Sequence, residues 1–253
     1  MLEYSKLINE AENAIKWIRD FVEKTNAKGV VVGNSGGKDS ATVIAMTTKA
    51  LGKENVLTIA MPCNSIKEDL EDAKIVSEKF DVEMLIIDLT KTYTEMEKSI
   101  NEKLKDSKLI KESEINIKPR LRMTTLYAIA QTKNYLVIGT GNLCERMVGY
   151  TTKWGDSAFD LNPIGNFTVE EVLEIGKYLG VPDKIINKAP SDGLGSATDE
   201  EKLGVTYKQI AEYIETGKTE TNAMEIINKK NLASKHKRAT APIYEFERKI
   251  YLN

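Results

Sequence analysis

The chain has 253 residues, of which 41% are hydrophobic and 29% charged, and its formal net charge is −2. This composition is typical of a globular protein with a buried core, and it provides no broad basic surface for nucleic acid. The N-terminus mixes charges unlike a signal peptide, and no apolar run is long enough for a membrane span, so we expect a cytoplasmic protein without nucleic-acid or membrane partners. With one histidine and two distant cysteines, Cys63 and Cys144, neither a zinc site nor a disulfide is predicted.

Helix and strand signals alternate along most of the chain. Apolar residues at helical spacing open it, Val30 to Val32 follow as a buried strand, and Gly52 ends the next helix. A weak signal over 106–118 predicts a loop or a mobile segment, and 150–165 is irregular. The predicted helices are 5–25, 39–52, 66–81, 90–105, 120–134, 168–180, 204–216 and 221–233, and the predicted strands are 28–35, 55–62, 82–89 and 135–142.

This alternation predicts an α/β fold with a doubly wound, mostly parallel sheet. The helices after the last strand signal predict a helical C-terminal extension. There is no internal repeat and no low-complexity tract. We therefore expect a single domain over 1–253, with the α/β core at about 1–190 and the helical C-terminal part at about 191–253.

The loop GNSGGKDS, Gly33 to Ser40, joins the first predicted strand to a helix. Backbone amides at a helix N-terminus, freed by glycines, bind anions, so the loop is a candidate phosphate site. A Walker A motif fails in register, since Asp39 stands where Ser or Thr is required and Gly33 is one residue too close to Gly37. The dinucleotide pattern G-x-G-x-x-G fails as well. What remains, S-G-G-x-D-S, could wrap a departing pyrophosphate, with Asp39 on Mg²⁺.

SGGKDS resembles the pyrophosphate loop of the N-type ATP pyrophosphatases, which implies an adenine nucleotide alpha hydrolase-like fold. That family cleaves ATP between its α and β phosphates, but the loop does not select a substrate. Five later segments do: NIKPRLRMTTLYAIAQ, LVIGTGNLCE, GYTTKWGDSAFDLNPIG, DEEKLGVTY and SKHKR. In this order, over nearly the whole chain, they resemble the ammonia-dependent NAD⁺ synthetases.

The resemblance implies a ligase that activates the nicotinate carboxylate of deamido-NAD⁺ with ATP and Mg²⁺. The acyl-adenylate then reacts with ammonia to give NAD⁺, AMP and pyrophosphate. It also implies a homodimer. Glutamine-dependent members carry a further amidase domain, for which we expect no room in 253 residues, so free ammonia is the expected donor unless a separate glutaminase supplies it.

The family's functional positions map onto this chain one by one. The implied catalytic residues are Asp39, Lys153 and Asp160, and the implied metal ligands are Asp39 and Glu145. For ATP the resemblance implies Gly33, Asn34, Ser35, Gly36, Gly37, Lys38, Asp39, Ser40, Met61, Thr140 and Ser191. For deamido-NAD⁺ it implies Arg120, Lys153, Asp160, His236 and Lys237.

One family position departs, because Val169 stands where a lysine often binds ATP. Lys177 or Lys188 could supply that charge, or the phosphate grip could rely on Lys38 alone. The proton of ammonium needs an acceptor, for which Asp160 and Asp156 are candidates.

Simpler interpretations stand beside these assignments. Trp154 and Phe159 are expected to pack against the sheet rather than stack on a base. Arg120 follows Pro119 at a predicted helix start, an unfavourable place for a cation unless an anion binds nearby. The lone His236 among lysines could be merely solvated. Rival functions are an RNA-modifying ATP pyrophosphatase of the tRNA thiolase or lysidine synthetase type, and a non-catalytic nucleotide-binding module.

Overall fold

The computed structural model describes residues 1–104, 107–188, 198–244 and 246. Within them, four parallel strands form one sheet in the order β3-β2-β1-β4. The strands are β1 (Gly29–Gly33), β2 (Val56–Ala60), β3 (Glu83–Ile86) and β4 (Tyr135–Ile138). In the centre of the sheet, β1 and β2 are almost continuous buried apolar runs, because helices cover both of its faces.

Eleven α-helices surround or extend this sheet in the described part of the chain. They are α1 (Tyr4–Lys24), α2 (Lys38–Leu51), α3 (Lys67–Lys79), α4 (Thr90–Lys103), α5 (Lys111–Lys133), α6 (Leu143–Val148), α7 (Val169–Tyr178), α8 (Asp183–Ile186), α9 (Asp199–Leu203), α10 (Tyr207–Thr216) and α11 (Thr221–Ala233). The predicted doubly wound α/β fold with a parallel sheet and a helical C-terminal region is confirmed. No helix in the described ranges is both long enough and apolar enough to cross a membrane.

The apolar side chains form three clusters. One lies between the sheet and α1, α2, α7 and α8, with Ile44 and Ile175 fully buried. A second lies on the opposite face under α4 and α5. The third joins α6, the start of α7, α10 and α11, so the C-terminal helices pack against α6 rather than on the sheet.

The strand order places a topological switch at the centre of the sheet. From β1 the chain builds outward through β2 to β3, and it then returns to place β4 on the other side of β1. The loops that leave the carboxyl ends of β1 and β4 therefore diverge, and in open α/β sheets ligands bind in the crevice between such loops. A single parallel bridge between Ile138 and Leu161 brings the segment after α6 to the same edge.

The predicted loop at 106–118 is wrong over most of its length, because α5 begins at Lys111 and continues through Pro119. Packing outweighs local propensity here, since the helix lies against β1 and β4 and buries Ile117 and Pro119. Arg120 therefore lies inside a helix, and the argument that placed it at a helix start is wrong.

Candidate active site at the carboxyl ends of β1 and β4

Asn34 anchors the loop that follows β1. Its buried side-chain amide donates to the carbonyl of Ala73 at 2.8 Å and lies 3.0 Å from the Oγ of Ser77, both in α3. Its Oδ1 accepts from the amide of Gly36 at 3.1 Å. Asn34 therefore shapes the loop and ties it to α3, with its side chain turned away from the crevice.

Gly36 allows the loop to turn beside α3. Its φ is +73°, and a Cβ there would lie 2.4 Å from the carbonyl oxygen of Asp69. Ser35 Oγ accepts from the amide of Gly37 at 3.2 Å and lies 3.0 Å from Ser40 Oγ. Gly37 then begins α2 without any side-chain cap, which leaves the first helical amides available to an anion.

Two carboxyl groups, Asp39 and Glu145, lie close together beside this helix end. Asp39 is in the first turn of α2, and its buried Oδ1 has no hydrogen-bond partner among the described residues. Burial raises the pKa of Asp39, and Lys38, whose Nζ lies 4.0 Å from Asp39 Oδ2, offsets part of the rise. Burial and the neighbouring Asp39 raise the pKa of Glu145 well above its usual value.

Glu145 is held in place by its own helix end. Asn142 caps α6, accepting from the amide of Glu145 at 3.0 Å, while the Glu145 carboxylate accepts from the amide of Asn142 at 2.9 Å. The pair is therefore rigid on both sides, with Asp39 on α2 and Glu145 on α6. Two neighbouring, half-buried carboxyl groups, one of them with an oxygen that has no hydrogen-bond partner among the described residues, favour a bound cation.

The donor set at this position fits Mg²⁺ rather than a metal caged entirely by protein. In the ranges that the structure describes, no group of three or more His, Cys, Asp or Glu side chains is arranged to hold a metal ion. Mg²⁺ usually takes one or two carboxylates and completes its octahedron with water and substrate phosphates. Asp39 and Glu145, next to an anion-binding loop, supply that combination.

A second group of predicted residues surrounds a cavity of about 450 Å³ near the C-terminal helices. Lys153 and His236 both line it, together with Leu232 on α11. Arg120 joins this side of the site, since its Nε donates to the carbonyl of Lys153 at 3.3 Å. Lys237 instead points into the protein, where its Nζ donates to the carbonyls of Gly149 and Thr151.

Asp160 and Asp156 each brace the segment of chain that carries Lys153. Asp160 accepts from the amide of Val137 at 2.7 Å and from the hydroxyl of Tyr127 at 3.2 Å, which fixes the segment after α6 against β4. Asp156 accepts from the amide of Thr152 at 2.8 Å. Both are exposed, so their carboxylates combine a structural bond with access to solvent.

With this geometry established, comparison with known proteins assigns the family. Residues 10–249 match the family model described as NAD synthase. The chain belongs to the NAD synthase family. A relative named NH(3)-dependent NAD(+) synthetase, from Carboxydothermus hydrogenoformans, is 43% identical over 232 residues, which cover 90% of this chain and 94% of the relative. The resemblance found in the sequence motifs is confirmed.

Two solved structures are similar over almost their whole length. NMN synthetase from Francisella tularensis has a TM-score of 0.88 at 34% identity, covering 97% of this chain and 100% of the other. NH3-dependent NAD synthetase from Campylobacter jejuni, in complex with nitrate, has a TM-score of 0.76 at 30% identity, covering 96% and 100%. The predicted function, ATP-dependent ligation that yields NAD⁺, is confirmed, and it replaces the RNA-modifying and non-catalytic alternatives.

Two of the remaining positions that the resemblance implies for ATP lie in the described part of the chain. Thr140 lies half-buried just after β4. Met61 follows β2, where it is buried and its carbonyl accepts from Arg122 Nε at 3.2 Å. Ser191 lies outside the described residues.

The lysine that the resemblance implies at position 169 has no direct substitute on α7. Val169 is buried in the third apolar cluster, and Lys177 pairs with Glu174 on the outer face of the helix. Lys188 is closer to the loop but bridges Asp69 and Asp72 at 2.9 and 2.7 Å. Of the three lysines considered, Lys38 alone lies in the loop itself, and its side chain is almost fully buried there.

The expectation that two aromatic residues pack against the sheet is confirmed for one and wrong for the other. Phe159 lies across the end of β4, where a Cβ on Gly139 would meet its ring at 2.5 Å. Trp154 is instead 55% exposed and has a positive φ of 62°. The loop from Thr151 to Ser157 holds it outward by its own hydrogen bonds.

The sequence motifs did not single out a buried network next to the carboxyl pair. Asp199 accepts from the hydroxyls of Tyr150 at 3.0 Å and Tyr207 at 3.3 Å, and its charge raises the pKa of Asp39 further. Tyr150 follows α6, where its amide donates to the carbonyl of Glu145 at 2.9 Å. The capping pattern from Thr198 to Glu201 could have predicted the helix, but nothing local indicates its partners.

Proposed function

We propose that ATP is cleaved in the crevice between the loops after β1 and β4. An oxygen of the nicotinate carboxylate of deamido-NAD⁺ attacks the α-phosphorus of ATP, and the bond from that phosphorus to the β-phosphate oxygen breaks. Ammonia then attacks the acyl carbon, and the bond to AMP breaks to leave the amide of NAD⁺. The observation that carries this placement is the half-buried carboxyl pair, Asp39 and Glu145, beside the uncapped start of α2.

The loop Gly33–Ser40 holds the pyrophosphate as it leaves. The amides at the start of α2 and the hydroxyls of Ser35 and Ser40 face the same end of the helix. Lys38 adds one buried positive charge. Donors fixed in place before the reaction stabilise the charge that develops on the leaving group without further rearrangement. Met61, Thr140 and Ser191 complete the nucleotide site in this proposal.

For the metal we propose Mg²⁺ on Asp39 and Glu145. When bound, the ion neutralises the charge that accumulates on the phosphates. Binding of the ion would also remove the repulsion between the two carboxylates. The first turn of α2 holds Asp39 in position, and the capping box of α6 holds Glu145. We expect the remaining ligands to be phosphate oxygens and water.

For deamido-NAD⁺ we propose the side of the site formed by Arg120, Lys153 and His236. Lys153 and His236 line the cavity, and Arg120 Nε donates to the carbonyl of Lys153. The charges of Arg120 and Lys153, with the imidazole of His236 as a further hydrogen-bonding group, suit the two phosphates of the acceptor. Lys237 supports them, since its ammonium ties the start of the Lys153 loop to the short 3₁₀ turn Lys235–Lys237.

For the proton of ammonium we propose Asp160 as acceptor. Asp160→Asn should cut amide formation several-fold more than ATP–pyrophosphate exchange, because the adenylation step does not need the proton acceptor. Asp156→Asn, the variant of the other candidate acceptor, is measured beside it, and a selective loss of amide formation in Asp156→Asn alone would assign the proton to Asp156 instead. Equal losses in both assays for Asp160→Asn would assign it to substrate binding instead.

A second acceptor, nicotinate mononucleotide, is favoured by one observation. The NMN synthetase from Francisella tularensis gives a TM-score of 0.88, against 0.76 for the NAD synthetase from Campylobacter jejuni. The same two bond changes on the smaller nucleotide would yield NMN. The ratio of kcat/KM for the two acceptors measures which one this protein prefers.

We further propose that the chain acts as one catalytic domain, in the cytoplasm, as a homodimer. Two exposed apolar side chains support the dimer. Met96 on α4 is 45% exposed, and Ile110, just before α5, is 65% exposed. Light scattering coupled to gel filtration should give twice the 28.3 kDa of one chain.

Product analysis tests the proposed reaction. With ATP, Mg²⁺, ammonium and deamido-NAD⁺, we expect NAD⁺, AMP and pyrophosphate in equal amounts, and no AMP when deamido-NAD⁺ is left out. Release of ADP and phosphate, or AMP that forms without the acceptor, would contradict the proposal.

A further inference from the structure

Trp154 occupies a backbone conformation that a bulky side chain rarely adopts. Its φ is +62°, in the left-handed region, and the residue is 55% exposed. Such strain persists only where the surroundings impose it, and it is concentrated at binding and catalytic sites. An exposed indole contributes little to the core, so packing does not explain why this residue is held there.

The loop around Trp154 imposes the conformation through its own hydrogen bonds. The amide of Trp154 donates to Ser157 Oγ at 3.1 Å, and Ser157 Oγ donates to the carbonyl of Thr152 at 2.9 Å. Gly155 sits against α5, where a Cβ would lie 3.1 Å from Pro119. The loop is therefore a rigid support that presents one aromatic face to solvent.

The Trp154 ring lies next to the cations of the acceptor side. Lys153 Nζ lies over the ring, 5.3 Å from its centre, and Lys153 also lines the 450 Å³ cavity with His236. Arg120 Nε donates to the backbone carbonyl of Lys153. An exposed aromatic face next to phosphate-binding cations is suited to a nucleotide whose base stacks while its phosphates pair.

The exposure of Trp154, compared with that of the carboxyl pair, indicates which ring it takes. The reacting nicotinate must lie at the crevice that Asp39 and Glu145 line, where both carboxyls are half-buried. Trp154 is instead 55% exposed, so it suits the ring of the acceptor that does not react. We propose that Trp154 is a specificity-determining platform on which the adenine ring of deamido-NAD⁺ stacks, with Lys153 turned to the adjoining phosphates.

This inference rests on the proposed function, and fluorescence can test it without turnover. The chain has two tryptophans, and Trp17 lies on α1 against Phe21. In a Trp17→Phe background, the emission of Trp154 should be quenched by deamido-NAD⁺ and much less by nicotinate mononucleotide. Quenching by ATP alone would assign the platform to the other nucleotide. If the emission changes with protein concentration and not with ligand, Trp154 lies in a contact between two chains of this protein. Either result would overturn the inference.

Kinetics on whole protein provide the second test. Trp154→Leu keeps apolar volume but loses the π-face, so KM for deamido-NAD⁺ should rise roughly tenfold, and Trp154→Phe should recover most of the loss. The KM of nicotinate mononucleotide, or its inhibition constant if it is not turned over, should stay within twofold. Equal changes for both acceptors, or none for either, would contradict the platform. Wild-type protein that makes no NAD⁺ would instead contradict the proposed function itself.

Discussion

The two halves of the site are built in opposite ways. Around the pyrophosphate loop, the bonds that shape the backbone come mostly from within a few residues: Asn34 bonds Gly36, Ser35 bonds Gly37 and Ser40 bonds Gly37, while Asn34 also bonds α3. On the acceptor side, the functional groups come from α5, the Lys153 loop and the turn after α11. The first half is a local backbone structure that buries its charges, whereas the second depends on long-range packing and leaves its cations accessible.

Because of that difference, mutations in the two halves should impair different steps of the reaction. In the loop, a small change should affect chemistry strongly, because the groups are fixed and desolvated. On the acceptor side, the loss of one cation should weaken binding more than turnover, because several exposed groups share the ligand. The predictions below measure this contrast, beginning with the largest effect.

Asp39→Asn should reduce the rate of NAD⁺ formation roughly 1,000-fold, since it removes one of two carboxylates that hold the cation. The same variant should lose the rise in melting temperature that Mg²⁺ gives the wild type. Glu71→Gln, an exposed acid paired with Lys74 on α3, is the control. A Mg²⁺-dependent thermal shift that persists in Asp39→Asn would remove this residue from the metal site.

Gly36→Ala should cost about 3 kcal/mol of unfolding free energy and about 100-fold in rate, because the new Cβ meets the Asp69 carbonyl and displaces the loop. Gly217→Ala is a matched control, with a φ of +71° and no atom within 4 Å of the added Cβ. It should lose only about 1 kcal/mol and leave the rate unchanged. If urea denaturation and assays show equal effects for both, close packing against α3 does not shape the loop.

Lys153→Met should raise KM for deamido-NAD⁺ roughly tenfold while kcat falls less, because a charged contact to the acceptor is lost but the carboxyl pair is intact. Lys229→Met, at an exposed position on α11, should change neither parameter. A fall in kcat with unchanged KM would place Lys153 in the chemical step instead.

Substitution of Asp72 should change activity least, but it should clearly change how the unfolding free energy depends on pH. Burial alone would raise its pKa, but hydrogen bonds from Lys184 and Lys188 outweigh burial and hold the pKa below its usual value. The stability it provides is therefore present above the unfolded pKa of 3.8 and is lost as pH falls through the folded pKa.

Asp72→Asn should accordingly lower the unfolding free energy by about 2 kcal/mol at pH 7 and by much less in strong acid. Urea denaturation between pH 2 and 7 measures the difference. A deficit that stays constant over that range would show that the charge of Asp72 does not stabilise the fold.

The same contrast between local and long-range structure decides what the sequence could predict. The strands, the loop and the family follow from patterns within a few residues, and the structure and the comparisons confirm them. The start of α5 was missed because burial of Ile117 and Pro119, not local propensity, makes that segment helical. Asp199 was missed because its partners, Tyr150 and Tyr207, meet it only through folding.

Lys153 and His236, which the resemblance assigned to one ligand, both line one cavity, and their role in binding stays a prediction. The motifs could not indicate that Lys237 points inward to the carbonyls of Gly149 and Thr151, or that Trp154 faces solvent. The direction of a side chain depends on backbone angles and on neighbours distant in sequence, and a motif describes neither.

A double-mutant cycle on Asp39 and Glu145 tests the central claim most directly, that these two carboxylates act as one cation site for ATP cleavage. Mg²⁺-dependent AMP formation is measured for wild type, Asp39→Asn, Glu145→Gln and the double variant. If both hold one ion, the double variant should lose little more than the worse single variant. Losses that multiply, each near its full single value, would show independent roles and contradict the account.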